Sequence, residues 1–236
     1  MAKQTVTYKT DFNERLKQVS FHGEDTYPLY VQITFMRKTY YFKSYYFELL
    51  SSPRFSLTVA GITEGPSIQD AIEMELEVCK FIIERHPDDF SLDLFKKEYA
   101  FYSKDLCEIM ENAFLDYLFV FFNDEGASTF ATTIAIGGRY RIAFELVRDM
   151  KRVLSKPVYE KLIENAFFYA PPYLIIYGFM NQLKRWPLLC LTVMEWESEI
   201  IQAKFIDYLR QNHANRKPEE VKAQIQKWIE AIKNYQ

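Results

Sequence analysis

Several signatures of common protein classes are missing from this sequence of 236 residues. Its seven glycines never form the GxGxxG or GxxxxGKS patterns that hold phosphates, and no GxSxG nucleophile motif occurs. His22, His86 and His213 lie in separate segments, away from any cysteine pair. The segment RHPDDF around His86 predicts a helix stop and a turn more simply than a cation site. We therefore expect no cofactor, no metal and no enzymatic activity.

Long apolar runs and closely spaced cysteines are also lacking. The most apolar stretches, AFLDYLFVFF and YLIIYGFM, are far shorter than the roughly 20 residues that cross a bilayer. No secretory signal is apparent in the first residues. Cys79, Cys107 and Cys190 stand far apart within helical patterns, which predicts buried free thiols. Together these observations predict a cytoplasmic protein with no membrane segment.

The composition of the chain changes near residue 60. Before it, β-branched and aromatic residues alternate, and the stretch AGITEGPSIQD then brings two glycines and a proline, which is typical of a linker. After it, apolar residues recur at helical spacing, with Ser67 and Ser91 as predicted N-caps and about seven helices in all. The sequence predicts an α+β, mainly α fold. A small N-terminal antiparallel sheet occupies a β-rich domain, 1–60, and a multi-helix domain, 61–236, follows.

Charge is distributed unevenly along the chain. The net charge is −3 overall, but it is +3 over 1–60, −11 over 61–130 and +5 over 131–236. A phosphate-binding surface is therefore expected only towards one of the two ends, although solvated helix faces of different sign would give the same totals. In the C-terminal part, GGRYRIAFELVRDMKRVL predicts a helix after a Gly-Gly turn, with Arg141, Arg148 and Arg152 on one side. That side is either a phosphate-facing stripe, with Arg139 and Arg141 as outside candidates for phosphate contacts, or the solvated side of an amphipathic helix.

The stretch YPLYVQITFMRKTYYFKSYYF, residues 27–47, is the most distinctive segment. Its apolar residues alternate with period two on both sides of Arg37-Lys38, which predicts a β-hairpin with a basic tip. We expect Phe35 opposite Tyr40 and Ile33 opposite Phe42, all on an apolar face. The second face would then carry Tyr30, Gln32, Thr34, Tyr41, Lys43 and Tyr45. Such a face suits contacts with DNA, or it is an ordinary packing boundary rich in tyrosine.

The hairpin resembles the N-terminal arm-type DNA-binding domain of tyrosine recombinases (integrases) from Bacteroidetes mobile elements. The resemblance covers about residues 5–60 and rests on four short matches: Tyr27-Pro28-Leu29-Tyr30-Val31, Ile33-Thr34, Arg37-Lys38 and Tyr41-Phe42-Lys43-Ser44. Gln32 stands where the family usually has a basic residue, and Tyr45-Tyr46 replace its Thr-Gly. The resemblance implies a three-stranded sheet followed by a helix, with the sheet in the major groove of DNA.

The catalytic domain of that family is not recognisable in the rest of the chain. His213-Ala214-Asn215-Arg216 fits a His-x-x-Arg element and Tyr235 lies downstream, but the spacing is too short and the intervening Gly-His element is missing. The segment HANRKP is better interpreted as a polar loop between helices.

The sequence thus leads to two hypotheses. The first is a non-enzymatic DNA-binding or accessory protein of a bacterial mobile element, which binds duplex DNA through the N-terminal sheet. Its candidate residues are Arg37, Lys38, Tyr41, Lys43 and Tyr45, with Arg139 and Arg141 as outside candidates. The alternative is a protein-interaction or scaffold module, including a homo-oligomer, that uses the aromatic face of the hairpin.

Overall fold

The computed structural model describes residues 5–52, 55–60, 62–138 and 142–234. The chain forms two compact units, Met1–Ser103 and Lys104–Gln236. The predicted fold class is confirmed: the fold is α+β and mainly α, with a small antiparallel sheet near the N-terminus and helices after it. In the part of the chain described, no helix is both long enough and apolar enough to span a membrane.

The first unit combines short strands with three helices. Its strands are β1 (Thr7–Phe12), β2 (Val19–Phe21), β3 (Glu24–Thr26), β4 (Leu29–Phe35), β5 (Lys38–Lys43), β6 (Leu57–Val59) and β7 (Ile62–Glu64). Its helices are α1 (Tyr45–Leu50), α2 (Ile68–Arg85) and α3 (Leu92–Tyr102). Strands β1, β4 and β5 form an antiparallel sheet in the order β1-β4-β5, so β4 is central, while β2 pairs with β3 and β6 with β7.

One face of the three-stranded sheet is covered by helices. Leu29, Val31 and Ile33 of β4 are fully buried and alternate with half-buried polar positions, as period two requires. Helix α2 packs against β1 and against α1. On β5, the ring of Phe42 lies 4.4 Å from that of Tyr99 in α3, measured between centroids. The apolar face therefore forms the core of the first unit, and the other face is left to solvent.

A buried carboxylate joins the end of the sheet to two helices. Glu75 of α2 has no solvent exposure. Its Oε1 accepts hydrogen bonds from the Ser44 hydroxyl at 2.5 Å and from the Tyr46 backbone N–H at 3.0 Å. Its Oε2 accepts from the Tyr99 hydroxyl at 2.6 Å. The first unit thus includes α2 and α3 and extends beyond residue 60, where the composition changes.

The buried site also determines the ionisation of this group. Burial raises the pKa of Glu75, because removal from water disfavours the charged form, and the hydrogen bonds to the carboxylate offset this only in part. The residues that donate to it, Ser44, Tyr46 and Tyr99, are themselves buried, so the acceptor oxygens of residue 75 matter more than its charge.

Substitution of Glu75 is expected to destabilise the protein in a graded way. Glu75→Leu removes the acceptor of three buried hydrogen bonds and should lower the free energy of unfolding by about 3–5 kcal/mol. Glu75→Gln keeps an acceptor oxygen and should cost only about 1–2 kcal/mol. Urea denaturation followed by circular dichroism measures both. The control is Glu77→Leu on the exposed side of the same helix, and equal losses for the two leucine variants would contradict the account.

The regular elements of the second unit, in the part described, are all helices apart from one isolated β-bridge between Asp105 and Thr192. Its helices are α4 (Leu106–Asp124), α5 (Ser128–Gly137), α6 (Ala143–Val153), α7 (Lys156–Tyr169), α8 (Tyr173–Leu183), α9 (Val193–Trp196), α10 (Glu199–Asn212) and α11 (Pro218–Asn234). Buried Asp105 caps α4 and also accepts the backbone N–H of Leu191 at 3.1 Å. This carboxylate connects the start of α4 with the segment before α9.

Several local predictions can be compared with these elements. Ser67 and Ser91 cap α2 and α3 through their side chains, as predicted. The three cysteines are free and buried, also as predicted. The pattern predicts about seven helices, whereas the described residues after the sheet contain ten, α2 to α11. The difference includes α5, which the pattern does not predict.

Candidate nucleic-acid interface

The solvent-facing side of the sheet consists of three cross-strand rows. The register of β1, β4 and β5 gives Thr7, Thr34 and Thr39 in the first row, Lys9, Gln32 and Tyr41 in the second, and Asp11, Tyr30 and Lys43 in the third. We call these nine residues the open face. All of them are exposed or half-buried, and Tyr41 retains 59 % of its accessible surface. The open face is polar apart from its two tyrosine rings.

The register of the hairpin differs from the prediction by two residues. Ile33 lies opposite Tyr40, and Phe35 lies opposite Lys38, so the predicted pairs Phe35 with Tyr40 and Ile33 with Phe42 are wrong. The chain turns over the two residues Met36 and Arg37, one position earlier than expected. Because side chains alternate with period two, a shift by two leaves the residues on each face unchanged.

The turn has an unusual backbone for its residues. Met36 and Arg37 have φ values of +50° and +64°, the left-handed conformation that both central positions of a type I′ hairpin turn require. For residues other than glycine, this conformation costs about 1–2 kcal/mol each. The dipeptide Asn-Gly at these two positions would remove most of that cost. The turn instead has two long side chains, and both are exposed. Strain of this kind concentrates at functional sites.

The candidate residues of the hairpin fall at the tip, on the open face and at a helix start. Arg37 lies in the turn, Lys38 begins β5, and Tyr41 and Lys43 follow on the open face. The placement of Tyr45 on the strand face is wrong, because Tyr45 is the first residue of α1. Ser44 ends the strand there: its hydroxyl accepts the Phe47 backbone N–H at 2.9 Å and caps the helix. Arg139 and Arg141 lie outside the described residues.

The positive charges of this region differ in how far they are neutralised. Lys9 pairs with Asp11 at 3.0 Å on the open face, and Lys43 pairs with Glu48 of α1. Arg37 and Lys38 form no ion pair with any residue that the structure describes. The hairpin tip therefore carries two uncompensated cations, whereas those on the open face are largely compensated.

Three exposed acidic residues of the first unit lie on α2, away from the open face. Glu73, Glu77 and Glu84 are exposed on α2, on the side opposite the buried stripe that contains Ala71 and Val78. That stripe faces the core under the sheet, so the exposed carboxylates point away from the open face. These three carboxylates are therefore not placed to neutralise Arg37 and Lys38 at the tip.

Two tyrosines provide flat apolar surface on the open face. Tyr30 of β4 and Tyr41 of β5 are diagonal neighbours, since Tyr30 is opposite Lys43 and Tyr41 is opposite Gln32. Neither ring contacts another aromatic ring of the described residues. Lys9 and Asp11, from β1, were not among the predicted residues, although the alternation in TYKTDF indicates a strand with one polar side.

No metal site accompanies this surface: within the described ranges, no three His, Cys, Asp or Glu side chains are placed to hold an ion. His86 instead ends α2 and forms ion pairs, with Nδ1 3.1 Å from Asp89 and Nε2 2.9 Å from Glu98. Burial lowers the pKa of His86, but the two carboxylates outweigh it and the pKa is raised above 6.5. The segment RHPDDF is therefore a helix stop held by an imidazole and two carboxylates.

This cluster predicts a pH dependence of stability. Because the pKa of His86 is raised in the folded state, its stabilising contribution is complete below pH 6.5, the unfolded value, and is lost as pH rises through the folded pKa. The free energy of unfolding of wild type minus that of His86→Gln should therefore be larger below pH 6.5 than well above it. An NMR titration should show the His86 pKa falling in Glu98→Gln and little affected in Glu84→Gln. A His86 pKa below 6.5 in wild type would contradict the account.

Strain in the hairpin turn leads to a second stability prediction. Met36→Asn combined with Arg37→Gly should raise the free energy of unfolding by about 1–2 kcal/mol, because these residues adopt positive φ readily. The control is Met36→Gln with Arg37→Gln, which changes the same side chains but keeps the backbone cost and should bring no gain. Chemical denaturation of the three proteins measures the difference. A loss of stability in the Asn-Gly variant would show that the turn is not strained.

Comparisons with protein-family models, with curated proteins and with solved structures find no match to this chain. The similarity to the integrase arm domain therefore stays a prediction.

Proposed function

We propose that the first unit binds duplex DNA through its hairpin tip and open face. The observation that carries this proposal is the exposed pair Arg37 and Lys38, uncompensated among the described residues, at the end of an exposed polar face. B-DNA has a major groove about 12 Å wide, which admits a two-stranded β-ribbon such as β4 and β5. The predicted resemblance points to the same mode of binding.

The side chains of the hairpin tip and those of the open face suit different parts of DNA. Arg37 and Lys38 can contact phosphates or the acceptor edge of guanine, and these contacts would fix the position of the hairpin. The amide of Gln32 and the hydroxyls of Thr34 and Thr39 can exchange hydrogen bonds with base edges in the groove. Tyr41 adds an exposed ring with a hydroxyl group, able to contact a thymine methyl or a sugar.

The ion pairs of the open face limit the expected affinity. Lys9 is engaged by Asp11 and Lys43 by Glu48, so binding depends chiefly on the two tip cations and on polar contacts. We expect moderate affinity and a dependence on ionic strength that comes mainly from these two cations. Such a protein fits a cytoplasmic, non-enzymatic accessory role at the DNA of a bacterial mobile element, in keeping with the resemblance of the hairpin.

A salt titration tests the proposal. Fluorescence anisotropy with a short mixed-sequence duplex should show binding at low salt, with an association constant that falls as salt rises. Each lost phosphate contact reduces the slope of log K against log salt by about 0.9, so Arg37→Gln with Lys38→Gln should reduce it by about 2 if both side chains contact phosphate. The matched control is Lys80→Gln with Lys97→Gln, which removes the same charge from the exposed sides of α2 and α3.

Two results would overturn the proposal. One is the lack of any binding to duplex DNA at low salt by the wild-type protein. The other is an equal loss of affinity in the tip variant and in the control variant, which would mean that net charge alone decides binding. Circular dichroism of each variant checks that the fold is intact.

A protein partner is the second candidate for the same face. Tyr41 favours it, because exposed tyrosine is enriched at protein–protein interfaces, and the compensated charges of the open face suit a polar protein surface. Light scattering of wild type and of Tyr41→Ala distinguishes this case if the partner is a second copy. A wild-type oligomer that Tyr41→Ala dissociates would support it, and a monomer in both would count against it.

A further inference from the structure

An open cleft in the second unit has a composition that points to a ligand. Its cavity volume is about 90 Å³. Apolar side chains from α4, α7 and α8 form most of the wall, among them Phe114, Ala166, Phe167 and Ile175, and Pro171 and Pro172 close one side. The polar groups of the lining are Gln224 of α11 and two residues of the loop before it, His213 and Arg216.

The floor of the cleft is fixed by buried contacts. Phe114 is fully buried and stacks on Tyr173 with 5.0 Å between ring centroids. The Tyr173 hydroxyl donates to Glu111 Oε1 at 2.7 Å, and the same oxygen accepts the Ala143 backbone N–H at 2.9 Å. This network joins the starts of α6 and α8 to α4. The apolar part of the cleft is therefore preformed, as small-molecule sites usually are.

Arg216 is held at the cleft by an aromatic ring. Its guanidinium carbon lies 3.4 Å from the centroid of the Phe167 ring and 5.7 Å from that of Phe168. It forms no ion pair with any described residue. Stacking uses the flat face of the guanidinium and leaves its N–H edge free, which is the edge that binds a carboxylate with two parallel hydrogen bonds. Arg216 also precedes α11 by two residues, so it stands near the positive end of that helix.

His213 adds a polar but uncharged group. Its Nε2 lies 3.4 Å from the Tyr208 hydroxyl. Burial, together with the nearby charge of Arg216, lowers the pKa of His213, so the imidazole is mainly neutral at pH 7. The cleft thus offers one fixed positive charge beside apolar walls, which favours a monoanion over a doubly charged phosphate.

We propose that this cleft binds a small monocarboxylate whose apolar part is about the size of one amino-acid side chain. The apolar group packs against Ala166, Phe167 and Ile175, above the buried ring of Phe114, and the carboxylate pairs with the free edge of Arg216. Gln224 can donate an amide N–H to the same carboxylate. The site involves no residue of the open face and stands independently of DNA binding.

Two probes of equal shape test the proposal by NMR on the full chain. 3-Phenylpropanoate should bind in the millimolar range expected for a ligand of its size and shift the signals of the cleft residues. 3-Phenylpropanamide has the same apolar part without the charge and should bind at least about tenfold more weakly, because the charge-assisted pair is lost. Equal binding of the two, or no binding of the carboxylate, would overturn the proposal.

Variants at adjacent cations locate the site. Arg216→Gln should weaken 3-phenylpropanoate binding about tenfold or more, whereas Lys217→Gln, which removes the same charge from an exposed neighbour that does not line the cleft, should leave it unchanged. If Arg216→Gln does not fold, Arg216→Lys decides the matter: it keeps the charge but loses the stacked fork, and it should bind the carboxylate more weakly than wild type. Unchanged affinity in a folded Arg216 variant would overturn the proposal.

Discussion

The buried carboxylate of Glu75 is the interaction on which the first unit depends. It collects hydrogen bonds from the Ser44 hydroxyl, the Tyr46 backbone and the Tyr99 hydroxyl, and so it joins the end of β5, the start of α1 and the side of α3 to α2. A buried carboxylate without these donors would be strongly destabilising. Helices α2 and α3 are therefore fixed over the apolar side of the sheet, and the opposite side stays exposed to solvent.

The same interaction defines the shape of the candidate interface. Ser44 both donates to Glu75 and caps α1, so the strand stops at Lys43 and the chain turns away. The open face is limited to three short rows, and its free positive charge is concentrated at the hairpin tip. Two features of this tip, the uncompensated pair of cations and the positive φ values of Met36 and Arg37, are difficult to explain by stability alone. Both features are expected if the side chains of the turn bind a polyanionic partner.

The spacing of apolar residues predicts the strand faces and most of the helices, and the incorrect predictions have local physical causes. Alternation assigned the two faces of β4 and β5 correctly, because a register error of two residues leaves the faces unchanged. Tyr45 was misplaced because the N-cap at Ser44 outweighs the strand preference of the tyrosines that follow. Helix α5, with sequence STFATTIAIG, was missed because β-branched residues and glycine are poor helix formers, and tertiary packing against α4 decides in its favour. The partners of Glu75 and the setting of Arg216 in its cleft depend on contacts distant in sequence, so no local pattern reveals them.

Amide NMR of the protein with a short DNA duplex at low salt tests the central claim most directly. If the open face and hairpin tip form the interface, the signals that move will be those of β4, the Met36-Arg37 turn and β5, while signals of the exposed side of α2 stay in place. Shifts confined to α2 or to the second unit, or no shifts at all, would contradict the account.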